Sequence, residues 1–190
     1  MQQNQNEDMH LRELTKDSTL VLDGHFLKVK RDTVILPDGK ETTREYILHP
    51  GAVVIIPLMN DGRVLVERQF RYPLDRVFIE FPAGKLEYGE DLLTCAKREL
   101  EEETGCAAQN WVHLTTIHNA IAYANERIEI FLARDITEGE RHLDDGEFLE
   151  TFYATPDELL HWVREGKITD VKTIIGIFWL EKVLKGEWSA

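Results

Sequence analysis

The sequence predicts an α+β fold, a mixed β-sheet covered by helices. Three observations lead there. Short apolar or alternating stretches bounded by Gly, Pro, Asn and Asp recur through most of the chain. Helix signals gather in the middle and near the C-terminus. Strands come in runs without a helix between each pair, which excludes a parallel doubly wound sheet.

In order, residues 20–28 and 32–36 read as strands, Pro37-Asp38-Gly39 as a turn, and residues 41–48 as a third extended stretch. Residues 52–58 are nearly all apolar, which suits a strand covered on both faces. Asn60-Asp61-Gly62 signals a hairpin into a strand over residues 63–70. Another strand over residues 77–81 ends at Pro82-Ala83-Gly84. An amphipathic helix follows, with Leu92, Leu93, Ala96 and Leu100 as its apolar face. Strands are expected at residues 111–117, 127–133 and 150–154, with an acidic loop over residues 138–147. Thr155-Pro156-Asp157-Glu158 combines a capping residue, a first-turn proline and a reciprocal acid. Asp170 caps a last helix that runs to about Lys185.

The 190 residues suit one domain with an extension, and 43% hydrophobic with 30% charged residues is a globular composition. No apolar run approaches the roughly 20 residues of a membrane span, and the polar opening residues 1–8 are no secretory signal. A net charge of −13 argues against nucleic-acid or anionic-membrane partners. Cys95 and Cys106 read as reduced, half-buried thiols of a cytoplasmic protein.

Helical spacing places Glu99, Glu102 and Glu103 on one side of the central helix. Like charges so placed repel, and a hard divalent cation, magnesium or manganese, reverses the sign of that interaction. The plain alternative is a solvated acidic face. The segment from Gly84 to Cys106 resembles the Nudix box, G-x5-E-x7-R-E-U-x-E-E-x-G-U with U apolar. It matches at Gly84, Glu90, Arg98, Glu99, Leu100, Glu102, Glu103, Gly105 and Cys106. The chain is therefore similar to the Nudix hydrolases, which cleave a nucleoside diphosphate linked to another group. The resemblance implies an αβα sandwich preceded by a small N-terminal β region. It also implies that Glu99, Glu102 and Glu103, with the Ala83 carbonyl, hold Mg2+ (or Mn2+), and that Arg98 pairs with Glu90.

The flanks resemble ADP-ribose pyrophosphatases in Arg68-Gln69-Phe70-Arg71-Tyr72 and Glu80-Phe81-Pro82-Ala83-Gly84, and in Arg44 with its neighbours. Arg44, Arg68 and Arg71 suit diphosphate oxygens, because guanidinium forms bidentate charge-assisted bonds. Glu80 is then expected to accept from ribose hydroxyls or the adenine amino group. Phe26 either stacks on adenine or packs in the protein, and Glu126 either touches substrate or caps its loop. The residues 118–126 lack the proline common in this subfamily. Glu147, in the acidic loop, takes the place of the general base, with solvent exposure as the alternative.

The expected reaction splits ADP-ribose into AMP and ribose 5-phosphate. Two rivals stand beside it: a pyrophosphatase for another nucleoside diphosphate sugar, such as GDP-mannose or ADP-glucose, and a silent ADP-ribose-binding sensor. Residues 1–45 form a tail and β region for dimerisation and substrate contact, and residues 46–190 the hydrolase domain. The resemblance implies a homodimer in which subunits share Arg44 or its neighbours.

Overall fold

The structure is a computed structural model that describes residues 8–143 and 145–190. It divides into two units. One runs to His49 and takes in Ala120–Glu126, and the other holds Pro50–Asn119 and Arg127–Ala190.

The first unit is an antiparallel meander of β1 (Leu14–Asp23), β2 (Lys28–Ile35) and β3 (Glu41–Leu48). Pro37-Asp38-Gly39 forms the second turn. Gly39 takes a left-handed φ of 84°, and Leu36 donates to the Lys40 carbonyl at 2.8 Å. The strand expected over residues 20–28 is broken. Gly24 turns the chain instead, donating to the Leu27 carbonyl at 2.9 Å, so that β1 starts earlier and pairs back on β2. Segment 120–126 lies along β3, joined by an Ile47–Ala124 bridge. Every residue of β1 is exposed, Leu20, Val21 and Leu22 among them.

The second unit has two sheets. One, in the order β7-β4-β9-β8, contains β4 (Ala52–Pro57), β7 (Ala83–Lys85), β8 (Cys106–Ile117) and β9 (Ile128–Glu138), with β4 and β9 parallel. The other, in the order β10-β5-β6, is antiparallel and contains β5 (Val64–Arg71), β6 (Arg76–Glu80) and β10 (Leu149–Ala154). Helices α1 (Leu92–Thr104), α2 (Pro156–Arg164) and α3 (Val171–Leu184) cover them. Alternation along β4 feeds two cores. Val53 and Ile55 pack with Cys95, Ala96 and Leu100 of α1, whereas Val54 and Ile56 pack with Leu159 of α2 and Ile177 and Leu180 of α3. A strand with helices on both faces must be apolar throughout, as residues 52–58 are.

The expected hairpin at Asn60-Asp61-Gly62 is corrected. Its turn forms, with Gly62 at φ 86° and Met59 donating to the Arg63 carbonyl at 2.8 Å, but the pairing stops at a Leu58–Val64 bridge and β4 and β5 enter different sheets. Both edges of each strand have other partners, which a local turn signal does not register. Cys95 and Cys106 are free and fully buried, not half-buried, because they pack in the α1 core.

Candidate active site

The box helix α1 is set at both ends by the sequence. The Asp91 carboxylate accepts from the amides of Leu93 and Thr94, both at 3.1 Å, and Gly105 ends the helix at a left-handed φ of 73°. Strand β7 passes beneath it, pairing Val53 with Gly84 and Val54 with Ala83. Gly84 leaves room for an acid. A Cβ there would lie 1.8 Å from the Glu99 Cδ. Glu103 falls on the buried stripe of α1 with Ala96 and Leu100, and its Oε2 accepts from the Ala83 amide at 3.0 Å. Glu101 is solvated.

Arg98 gathers the acids around it. Its Nε and Nη2 donate to the two oxygens of Glu90 at 2.9 and 3.0 Å. Its Nη1 lies 2.9 Å from Glu99 Oε1 and 2.9 Å from Glu102 Oε2. A positive group thus already sits between two of the expected metal ligands. The bonds from Arg98 hold Glu90 down to about 2. Glu99 goes the other way. Burial pushes it up to about 7 even though Arg98 opposes the shift. Glu103 is raised well above the usual carboxylate range by burial, and then by the charges of Glu67, Glu99 and Glu147.

Strand β5 runs in unbroken register between β6 and β10, so its side chains alternate strictly. Glu67, Gln69 and Arg71 share one face, while Arg68 and Phe70 take the other. Arg71 binds Glu80 bidentately, Nε to Oε1 at 2.7 Å and Nη2 to Oε2 at 2.8 Å. Lys172, at the start of α3, bonds Glu80 Oε2 as well and lies 3.0 Å from Asp170. Burial works to raise Glu80, but Arg71 and Lys172 outweigh it and hold the carboxyl below its ordinary value. Glu147 is half-buried, and its Oε1 accepts from Gln69 Nε2 at 3.3 Å. Its charge acts on Glu67, Glu99 and Glu103 alike. The structure therefore brings Glu99 and Glu102 to one guanidinium, Glu103 to the Ala83 amide and Glu147 to Gln69 of β5, with Arg71 and Glu80 paired on the neighbouring strands.

Other expected contacts fall differently. The guanidinium of Arg68 is on the opposite face from Arg71 and pairs with Glu150 at 3.3 Å, in a cleft of about 430 Å3 that includes Phe70, Arg141 and Phe148. Arg71 and Glu80, expected as separate substrate contacts, are bound to each other. Arg44, Phe26 and Glu126 belong to the first unit. There Arg44 forms a bidentate pair with Glu13 at 2.9 and 2.6 Å. Phe26 is 69% exposed in the turn after β1, and Glu126 lies 3.6 Å from His49. Tyr46 is tied into its own sheet, its hydroxyl donating to Asp32 at 3.0 Å.

Sequence reasoning passed over Glu67 and Lys172. An acid closing the apolar run Val64-Leu65-Val66, in step with Gln69 and Arg71, is the signal for the first. Lys172 has no local signal, because its partner Glu80 lies far away in the chain.

The side chains fit a divalent cation by three observations. The donors are hard carboxylate oxygens, Glu99 and Glu103 are raised by burial and by neighbouring acids, and Glu67 has two buried oxygens without a hydrogen-bond partner. Among the described residues no three His, Cys, Asp or Glu side chains stand close enough together to hold a metal ion as they are. No helix among the described residues is long and apolar enough to cross a membrane.

The acid-bearing helix α1 set over the β7 turn, with the box intact and helices packed on either side of β4, defines a Nudix domain. The family profile described as NUDIX domain matches residues 48–172, and that of the nucleoside diphosphate sugar hydrolase N-terminal domain matches residues 13–47. The chain belongs to the Nudix family of hydrolases, whose members generally use divalent metal ions. It is 36% identical over 173 residues to the ADP-ribose pyrophosphatase of Bacillus subtilis (strain 168), covering 90% of this chain and 94% of the relative. It is also 36% identical over 171 residues to the methanol dehydrogenase activator of Bacillus methanolicus, covering 89% and 92%. In fold it is similar to a solved structure described as an ADP compounds hydrolase. The TM-score is 0.83 at 20% identity, over 94% of this chain and 97% of that one.

Proposed function

We propose that the chain is a magnesium-dependent ADP-ribose pyrophosphatase that hydrolyses the diphosphate bond to give AMP and ribose 5-phosphate. The observation that carries this reading is the seating of Glu99 against Gly84 and of buried Glu103 on the Ala83 amide, on a chain similar to an ADP-ribose pyrophosphatase over nearly its whole length. The residues that would hold magnesium, with manganese as substitute, are Glu99, Glu102, Glu103 and the Ala83 carbonyl. Bound there, the ion supplies charge neutralisation at the diphosphate and acidifies a water.

The protein's own groups do the rest. Glu147 takes the proton of the attacking water, oriented by Gln69. Arg71 meets the phosphate oxygens, and Glu80 with Lys172 fixes its guanidinium rather than contacting ribose. Arg44 and Phe26 serve substrate binding from the N-terminal region. We take residues 1–45 as the dimerisation region and 46–190 as the hydrolase domain of a cytoplasmic homodimer. The exposed apolar side chains of β1 call for cover, and the two buried cysteines are reduced thiols. Sedimentation of the full chain and of a chain lacking residues 1–45 tests the dimer; a fully active monomer after truncation refutes it.

Steady-state rates with magnesium on ADP-ribose, ADP-glucose and GDP-mannose test the substrate. ADP-ribose should give the highest kcat/KM, and a preference for the guanine sugar refutes the reading. The equal similarity to a methanol dehydrogenase activator favours a second reading, a domain that binds its ligand to act on another enzyme. Ligand binding without turnover in the presence of magnesium would select it.

A further inference from the structure

Strand β5 carries a side chain that neither the box nor the arginine flank accounts for. Glu67 is 0% exposed, and neither of its carboxylate oxygens has a hydrogen-bond partner among the described residues. In register it faces Glu80 on β6 and Thr151 on β10. Glu80 is committed to Arg71 and Lys172, so it offers Glu67 repulsion and no donor. Burial first, then the charge of Glu80, raises the Glu67 carboxyl to about 8, with Arg71 and Lys172 offsetting only part. Protonation would remove the charge and still leave the O–H without an acceptor. Buried polar atoms are nearly always partnered, and two orphaned oxygens on one side chain point to a ligand.

The neighbours say which ligand. Gln69, on the same face of β5 as Glu67, donates to Glu147 at 3.3 Å, and β6, which Glu67 faces at Glu80, leads within three residues to Ala83, whose amide donates to Glu103 at 3.0 Å. Carboxylates on α1, on β5 and in the loop before β10 reject an anion. An apolar group would leave the oxygens unsatisfied, and water alone would leave the repulsion. A divalent cation with part of its hydration shell answers both needs.

We propose that Glu67 is a further oxygen donor to the divalent-cation site, supplied by β5 from outside the Nudix box, binding the ion directly or through one of its waters. The proposal rests on the reading of Glu99, Glu102 and Glu103 as ligands. It adds a consequence: the cation ties α1 to the strand that carries Gln69 and Arg71, and so sets the substrate arm against the metal arm.

Calorimetric titration of the full chain with MnCl2 and MgCl2, alongside thermal unfolding with and without the ion, tests this. Glu67→Gln keeps the shape and loses the charge. Glu67→Leu removes the polar atoms and serves as a second variant should the first not fold. Without cation, Glu67→Leu should unfold at a higher temperature than wild type, because two buried oxygens without partners are gone. With cation, the rise in Tm should shrink and the Kd for Mn2+ weaken by about tenfold or more. Wild-type affinity in a folded Glu67→Gln or Glu67→Leu protein overturns the proposal, whatever happens to turnover. A wild-type chain that binds no divalent cation, or one whose affinity survives Glu103→Gln, overturns instead the reading of the box on which it rests.

Discussion

Replacing Gly84 by alanine should disable the enzyme while sparing the fold. The added Cβ would lie 1.8 Å from Glu99 Cδ, 1.9 Å from Oε1 and 2.2 Å from Oε2. Since carbon atoms pack at about 3.5–4.0 Å, the carboxylate must retreat by roughly 2 Å. It is the end of a flexible side chain, so it can swing away, and the cost in stability belongs at the low end of overpacking, ~1 kcal/mol. The cost in chemistry is larger, since displacing a catalytic group by about 1 Å commonly loses about 100-fold in rate. At saturating magnesium and ADP-ribose, kcat should therefore fall by about 100-fold or more, read as AMP formed, with Tm nearly unchanged. In a Glu99→Ala background the same replacement should add little, because the group it displaces is already absent. A Gly84→Ala enzyme with kcat within a few fold of wild type would refute the reasoning, as would equal effects in both backgrounds.

The metal-free protein should lose stability as pH rises through the window from about 4.5 to about 7. Glu99 is a raised acid, so its contribution is full below the unfolded value and disappears as it ionises in the fold. That loss is about 3 kcal/mol, with Glu67 and Glu103 acting in the same direction. Saturating magnesium should flatten the slope of Tm against pH; an unchanged slope counts against cation binding by these acids. The lowered Glu90 and Glu80 act only below about pH 4.5, where protonation costs stability. Glu147→Gln should reduce kcat by about 100-fold or more while Mn2+ affinity stays near wild type, and parallel loss of both would remove it from the base role. In Gly176→Ala the new Cβ would sit 2.8 Å from Phe81 Cε2 and 3.3 Å from Ile56 Cδ1. Overpacking of about 1–3 kcal/mol, less roughly 1 kcal/mol of helix propensity, should lower Tm by several degrees; a higher Tm would contradict it.

Features decided within a few residues are legible in the sequence. Thr155 and Glu158 form their reciprocal cap, with Thr155 N donating to Glu158 Oε2 at 2.8 Å, and Asp170 caps α3 through the Thr173 amide at 3.0 Å. The Arg98–Glu90 pair follows from the spacing of the box, because a glycine-rich turn brings the loop back over the helix. The separation of Arg68 from Arg71 is legible too, since residues three apart on a strand point to opposite faces. The resemblance draws them together as one motif, and strand geometry parts them.

By itself the sequence determines the acid-bearing helix, its caps, its apolar stripe and the glycine beneath it, since each depends on helical periodicity or a single turn. Tertiary structure decides the rest. Which sheet takes β5, that Glu67 is left without a donor, and that Lys172 reaches Glu80 all depend on elements distant in the chain. The reason is electrostatic as much as steric. A glutamate's proton affinity is set by how much water its neighbours remove and which charges they leave nearby, and those neighbours are chosen only when the sheets close.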